Sequence, residues 1–580
     1  MICFVTNVNA QLEKHIPKDA TFVTSFNLNN LNKKVSLDKI KSYDFFQEGW
    51  GEMMKEMRRN ASPTMVDAFE NPSKYGMDVM SETFLFGVLS DESSYFGLVF
   101  NINDQAKFTE FFTKNILPEA GGEMGEMSGF KTMMTSTAGI AWNENVGMIA
   151  GGGINDILGE GMKPNDEDQA ENKAATAVKG YLQRMLKTNT ATSLLSNPKF
   201  AKASMKKSDM KMWMDYKWIM EMQMKDAMND IEEMGMAGFW EQMAPLYKDV
   251  YYGVDLNFND GQMLMDSKVY ANQEMLDMWK RVSDRKLNPK FFKYLPKENM
   301  MGYLTMAFNM ENFADEMIGM FGPMIEESGM TVMEMEGMAL DMMASAGIKL
   351  DRKGMYNLLK GDMVMAVTGM REFNVTKTQY DEDFNRVEVN SKQKLPEFLA
   401  MMSYGSESDI MQFVKMGVDA GMLGKTDGKY NSYKLAIPMS EIPMDVYMAV
   451  HDGVLFFTNN DELVTKKLKK GFKRKQRMSK KDQLSLNTAG SMLYWDIPQT
   501  LNAAAAFAQE QGMMDGMSNK MLNVSKQSLE SMVFRSDKLV TDSMGTKFSL
   551  NFSNKRMNAL DQMFSYFNEM FLTAMSGSSM

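Results

Sequence analysis

Cysteine is almost absent from this chain, one residue in 580, and it is joined by only 2 histidines and 14 prolines. That poverty excludes a disulfide framework, zinc sites built from Cys and His, and Cys/His or Ser/His catalysis. No stretch approaches the roughly 18 consecutive apolar residues that a membrane-spanning helix needs. Positive charge is in deficit, Lys+Arg 64 against Asp+Glu 75 for a net charge of −11, so the chain makes no electrostatic case for nucleic acid. Phosphate loops are missing too, because Gly121-Gly122 and Gly151-Gly152-Gly153 have no G-x-x-x-x-G-K-[ST] pattern around them. What stands in excess is methionine, 67 residues. The apolar share of 44% and charged share of 24% are those of a globular chain long enough for several domains.

Residues 1–10 read MICFVTNVNA before Gln11. Val8 and Ala10 therefore occupy the two small-residue positions that signal peptidase favours, although Ile2–Val5 is short for an apolar signal core. Residues 1–10 are expected to be the remnant of a secretory signal, with a frayed terminus as the plain alternative. Cys3 lacks the preceding small residue of a lipoprotein box and would leave with the signal.

Self-comparison finds one module written twice. Pro17-Lys18-Asp19, an extended run and Phe26-Asn27 align with Pro296-Lys297-Glu298, an extended run and Phe308-Asn309. Tyr75-Gly76 ahead of Phe84–Leu89 aligns with Ala346-Gly347 ahead of Met363–Thr368. Ala141–Ala150 aligns with Met448–Phe457, and Asp209–Tyr216 with Gly490–Ile497. Two tandem modules, 11–288 and 289–580, are expected, with the break near Asp284–Pro289.

Within the modules, strand patterns at Thr21–Leu28, Phe84–Leu89, Tyr95–Ile102, Met210–Trp218 and Val254–Tyr270 alternate with helical ones at Ala106–Ile116 and Asp409–Met422. Asn259-Asp260-Gly261 supplies a hairpin turn, Asn103-Asp104 a helix cap, and Ser408 stands before the second helix. The fold class this predicts is α+β, mainly antiparallel sheets with helices layered on one face; a doubly wound parallel fold is the alternative. Gly159–Ala174 is acidic and aperiodic and reads as a mobile surface loop. At the matching place in the second module stands the basic run Lys466–Lys481, KKLKKGFKRKQRMSKK. It reads first as a solvated helix end and loop, and alternatively as a dock for anionic lipid head groups or an acidic partner.

Soft thioethers suit Cu(I), and Met210-x-Met212-x-Met214 would share one face of a strand. Met220, Met224 and Met228 would instead form a helical stripe, and Met333-x-Met335 repeats the M-x-M spacing. Met replaces Leu and Ile throughout, however, so core packing explains most of the count. His15 and His451 read as exposed turn residues, and Asp381-Glu382-Asp383 as a solvated acidic turn.

The paired Pro-Lys-acid openings, the glycine approaches to a strand, and Asp452-Gly453 followed by Asn460-Asp461-Glu462-Leu463 resemble an uncharacterised family. Its members are large exported envelope proteins of Bacteroidota, many of them lipoproteins, known as a domain of unknown function. The resemblance runs from about His15 to Asn554; it implies an α+β repeat fold and an envelope location, and no catalytic residue or substrate. This sequence departs from the lipoprotein members in having no lipobox.

The reading is a non-enzymatic, exported binding or scaffold protein of the periplasm or outer membrane. It assigns no catalytic, cofactor or metal residue and no nucleic-acid partner. An envelope protein, lipid or polymer is the expected partner, with the run 466–481 as one route to it. A methionine-rich periplasmic Cu(I)-handling protein is the alternative, and an enzyme using carboxylates alone stands third. An exposed apolar groove, thioethers facing one cavity, and paired buried carboxylates are the respective signatures.

Overall fold

A computed structural model describes residues 12–89, 94–135, 137–152, 167–203, 208–217, 220, 246–327, 329–380, 385–428, 430–436, 444–510, 514–539 and 542–578. They form two compact units. The first comprises the described residues of Met1–Asp226, Asp249–Tyr270 and Lys555–Leu572; the second comprises those of Ala227–Lys248, Ala271–Asn554 and Thr573–Met580. The position expected for the module break, 288/289, lies inside the second unit.

The first unit contains β1 (Phe22–Asn27), β2 (Met77–Asp78), β3 (Glu82–Val88), β4 (Tyr95–Ile102), β5 (Glu123–Met127) and β6 (Phe130–Met134), followed by β7 (Ala138–Trp142), β8 (Val146–Gly151), β9 (Met210–Asp215), β10 (Tyr251–Asn259) and β11 (Gln262–Tyr270). Their neighbours run β5-β6-β7-β8-β4-β3-β1-β9-β10-β11, antiparallel at every step, with β2 on the end of β4. The expected Asn259-Asp260-Gly261 hairpin holds β10 to β11 in unbroken register, Gly261 taking φ +68°.

Alternation along β4 shows why helices cover both faces of this sheet and not one. Tyr95 and Val99 pack with Val23, Phe86 and Trp213, while Phe100 and Ile102 pack with Trp142 on the opposite side. Both faces are apolar, so both need a cover. Helix α1 (Gln105–Phe111), capped by Asp104 accepting from Lys107 N at 3.1 Å, seals the second face with Phe108 and Phe111. Helix α2 (Glu167–Lys187) seals the first with Leu182 and Met185. Each buried Phe or Leu contributes roughly 1.5–3 kcal/mol.

The start of α2 corrects the expectation of a loop over Gly159–Ala174. Residues 167–174 are helical, because Glu, Gln, Ala and Lys are good helix formers whatever their charge; residues 159–166 lie outside the described residues.

The second unit contains β12 (Gly302–Ala307), β13 (Leu359–Tyr380), β14 (Arg386–Tyr404), β15 (Leu423–Lys425), β16 (Asn431–Leu435) and β17 (Tyr447–His451), followed by β18 (Val454–Thr458), β19 (Ala489–Asp496), β20 (Leu529–Asp537) and β21 (Ser543–Phe552). Its order is β15-β16-β17-β18-β14-β13-β12-β19-β20-β21, antiparallel throughout and the same path, rank for rank, as in the first unit. Segments aligned in the sequence occupy like ranks, β1 with β12 and β9 with β19. The aligned Gly76 and Gly347 take φ +86° and +84°. A Cβ on Gly76 would lie 2.2 Å from the Asp104 carbonyl oxygen, so only glycine fits there.

Four helices of the second unit matter below: α3 (Gln273–Ser283), α4 (Met310–Glu327), α5 (Val332–Ser345) and α6 (Glu407–Asp419). Helix α6 begins two residues earlier than Ser408 suggested, because Ser406 is the cap, accepting from Asp409 N. It buries Ile410 and Val414 against Tyr433 and Met448. Among the described residues no helix is long and apolar enough to cross a membrane.

Candidate functional site

A buried charge sets the frame of the second unit. Gly361, at φ +87°, passes so close to the chain at Phe308 that a Cβ would sit 2.3 Å from its carbonyl oxygen. The next residue, Asp362, is buried completely, accepting from Arg285 Nε at 2.6 Å, Asn288 N at 3.1 Å and Ser403 Oγ at 2.7 Å. These bonds tie the segment that leaves α3 to the sheet. In the first unit the buried Asp209 is met by the Lys34 ammonium and by Phe258 N. Each carboxylate thus faces a cation and a backbone N–H, an arrangement that holds structure.

With α3 fixed, an apolar groove of about 370 Å³ opens between it, α4 and the sheet. Met278, Trp279 and Val282 come from α3, Phe313, Met317 and Met320 from α4, and Met306 from β12; Leu539 and Met544 complete the lining. The floor explains the space. Met306 stands opposite Ser491, and Ser491 opposite Ser536, so two neighbouring strands of one cross-strand row bring hydroxymethyl groups where bulky chains would otherwise fill. Met210, aligned with Ser491, lies instead between Phe26 and Leu256. Only the rim is charged. Glu316 pairs with Arg281 and its hydrogen bond raises that guanidinium above its ordinary range; Asp537 pairs with Arg535 at 2.6 Å and Lys547 at 3.5 Å.

None of these lining residues was legible as a site, since they are scattered from residue 278 to 544. The one available signal was Gly490-Ser491 standing where the first module has Asp209-Met210.

The methionines singled out for copper fall elsewhere. Met210, Met212 and Met214 do share a face of β9, but their cross-strand neighbours are Phe26, Thr24 and Phe22 on β1 and Leu256, Val254 and Tyr252 on β10. No thioether stands directly opposite any of them. Met220 is buried, and Met224 and Met228 lie outside the described residues, as does Asp381-Glu382-Asp383. Met333 and Met335 are on α5, where residues two apart point away from each other. Among the described residues no group of three His, Cys, Asp or Glu is placed to hold a metal ion.

The basic run is fixed in place. Leu468 and Met478 are buried, Tyr294 Oη donates to Leu468 O at 2.6 Å, and Met478 N and Phe472 N donate to Leu295 O and Lys293 O. Every lysine between 466 and 481 is nevertheless exposed, giving a ridge of positive charge on an ordered backbone.

His451 ends β17 beside the Asp452-Gly453 turn, partly exposed, at φ +53° and +80° for the turn residues. His15 corrects its expectation: it is 8% exposed and edge-on to Phe130. Burial, with a smaller push from Lys14, lowers its pKa from 6.5 to about 4, and its Nδ1 has no hydrogen-bond partner. The sequence places it before a proline turn, but that turn packs inward on the sheet.

These observations define an α+β protein of two like-ordered antiparallel sheets, one carrying an open apolar groove. The chain matches the model of a domain of unknown function, DUF4836, over residues 12–560, and belongs to that family. No curated protein matches it. Among solved structures, crystal forms IV and III of TP0453 align at 10% and 11% identity with TM-scores of 0.21 and 0.22. They cover 44% and 48% of this chain and 79% and 88% of theirs, and scores that low carry no argument about fold or function.

Proposed function

We propose that this chain is a non-enzymatic binding protein of the bacterial cell envelope, whose ligand is an apolar chain held in the groove of the second unit. The observation that carries this is the lining: thioether, aromatic and aliphatic groups over a space within the usual range for small-ligand sites, with charge confined to paired residues at the rim. Flexible methionine adapts to apolar ligands of varied shape. Export is supported by the small residues at Val8 and Ala10. The test is palmitate titration followed by Trp279 emission. Saturable binding is expected, with at least a tenfold loss on Met317→Glu, which puts a carboxylate in the groove; unaltered affinity in that variant overturns the groove as the site.

The copper reading now rests on a different set of residues. Met278, Met306, Met317, Met320 and Met544 line one space, the arrangement that soft-metal binding needs. Cu(I) titration against a competing chelator separates the readings. Affinity that is lost in Met317→Leu/Met320→Leu and kept in Met210→Leu/Met212→Leu/Met214→Leu makes this a copper protein, whereas packing alone predicts no tight binding in any of them.

A further inference from the structure

The hairpin of α4 and α5 combines methionine with charge of a single sign. Between Met310 and Ile348 stand ten methionines, eight carboxylates and not one Lys or Arg. Helix α5 is pinned on one side, where Glu336 accepts from Arg352 Nε at 2.8 Å and from Tyr356 Oη at 2.7 Å, and where Gly322 of α4 lets Val332 approach closely. A Thr331–Glu334 capping box fixes its first turn. Its other side is uncovered. Met335, Met338 and Met342, at i, i+3 and i+7, are 39%, 51% and 70% exposed, and Glu334 and Asp341 stand exposed beside them. None of the three lines the groove.

An exposed apolar stripe on a stable helix is costly in water unless something covers it. We infer that α5 docks a basic amphipathic helix of a partner protein, its apolar face on the methionine stripe and its Lys or Arg side chains on the flanking carboxylates. The i, i+3, i+7 spacing is that of helix-on-helix recognition, and methionine is the side chain that accommodates varied apolar partners. Charge chooses the occupant. Helices that lie on membranes carry Lys and Arg toward anionic lipid, and a hairpin holding only carboxylates would be repelled there. The chain's own run 466–481 supplies cations, but its apolar anchors Leu468 and Met478 are buried, so a second copy would leave the stripe bare.

The proposal is independent of the groove reading. Its test uses the full chain and a synthetic helix with Leu on one face and Lys on the other, beside a scrambled peptide of the same composition. Binding of the amphipathic peptide is expected, weakening with salt, absent for the scramble, and reduced at least tenfold in Met338→Glu/Met342→Glu. Leu484→Glu, at another exposed site, should leave it unchanged, as should the groove variant Met317→Glu. Equal binding of the scramble, no binding, or insensitivity to the Met338/Met342 pair overturns the inference. So does Met338/Met342-dependent binding to vesicles of phosphatidylcholine and phosphatidylglycerol, which would make the stripe a membrane contact.

Discussion

Arg285→Met is expected to cost the second unit about 3–5 kcal/mol, read as a lowered urea midpoint, because it strands a buried charge. The Asp362 side chain has no solvent exposure, and the guanidinium is its only cationic partner among the described residues. Methionine matches much of the arginine's bulk, so the loss reports the uncompensated carboxylate more than a cavity. Asp362→Asn in the same background should recover part of the loss, since an amide oxygen still accepts from Asn288 N and Ser403 Oγ without carrying charge. A cost below about 1 kcal/mol for Arg285→Met would show that the carboxylate finds water or another donor. The pair would then not be what holds α3 against the sheet.

The second large effect concerns acid. His15 is buried, and its pKa is lowered from 6.5 to about 4, so the folded first unit resists a proton that the unfolded chain accepts. Between those values the unfolded state binds more protons. Stability is therefore complete above pH 6.5 and is lost as pH falls toward 4, by about 3 kcal/mol at the lower limit. Neighbouring Glu13 acts in the opposite sense. Burial raises its pKa, which favours the folded state as acid protonates it. The expected result is a difference: His15→Leu should flatten the fall in thermal midpoint between pH 6.5 and 4 relative to the unmodified chain. Parallel pH profiles for the two proteins would mean that the imidazole is hydrated in solution.

Strands and turns were legible where local chemistry decides them. Tyr95–Ile102 appears as a strand at both of its expected ends, and Asp260-Gly261 turns where a positive φ is affordable. The paired Pro-Lys-acid turns and glycines led to an expectation of two tandem modules; the sheets share one strand order, while the expected break at 288/289 falls inside the second unit. Burial was harder to read. His15 looks like a polar residue before a proline, and nothing local says that the turn faces inward. Likewise, the second apolar face of β4 became evident only when Phe100 and Ile102 met α1. The groove was least legible, because the space is made by what is small on two neighbouring strands at once, and Ser491 and Ser536 are ordinary residues when read singly. Of the methionine stripe of α5 the M-x-M reading caught only Met335, because the face shared with Met338 and Met342 depends on helix geometry and on which side Arg352 and Tyr356 hold.

The position of β1 between β3 and β9 also governs how the chain reaches its fold. β1 is the earliest strand among the described residues and lies inside the sheet, pairing on one side with a strand roughly 190 residues downstream; β12 stands in the same relation to β19. Closing such loops is entropically slow, and high contact order lowers folding rates by orders of magnitude. Sequence-adjacent strands such as β5 to β8 can pair as they emerge, but β1 and β12 keep one open edge until β9 and β19 have been made. Until that partner strand arrives, the open edges of β1 and β12 are sites for wrong pairing, the kind of exposure that chaperones guard against.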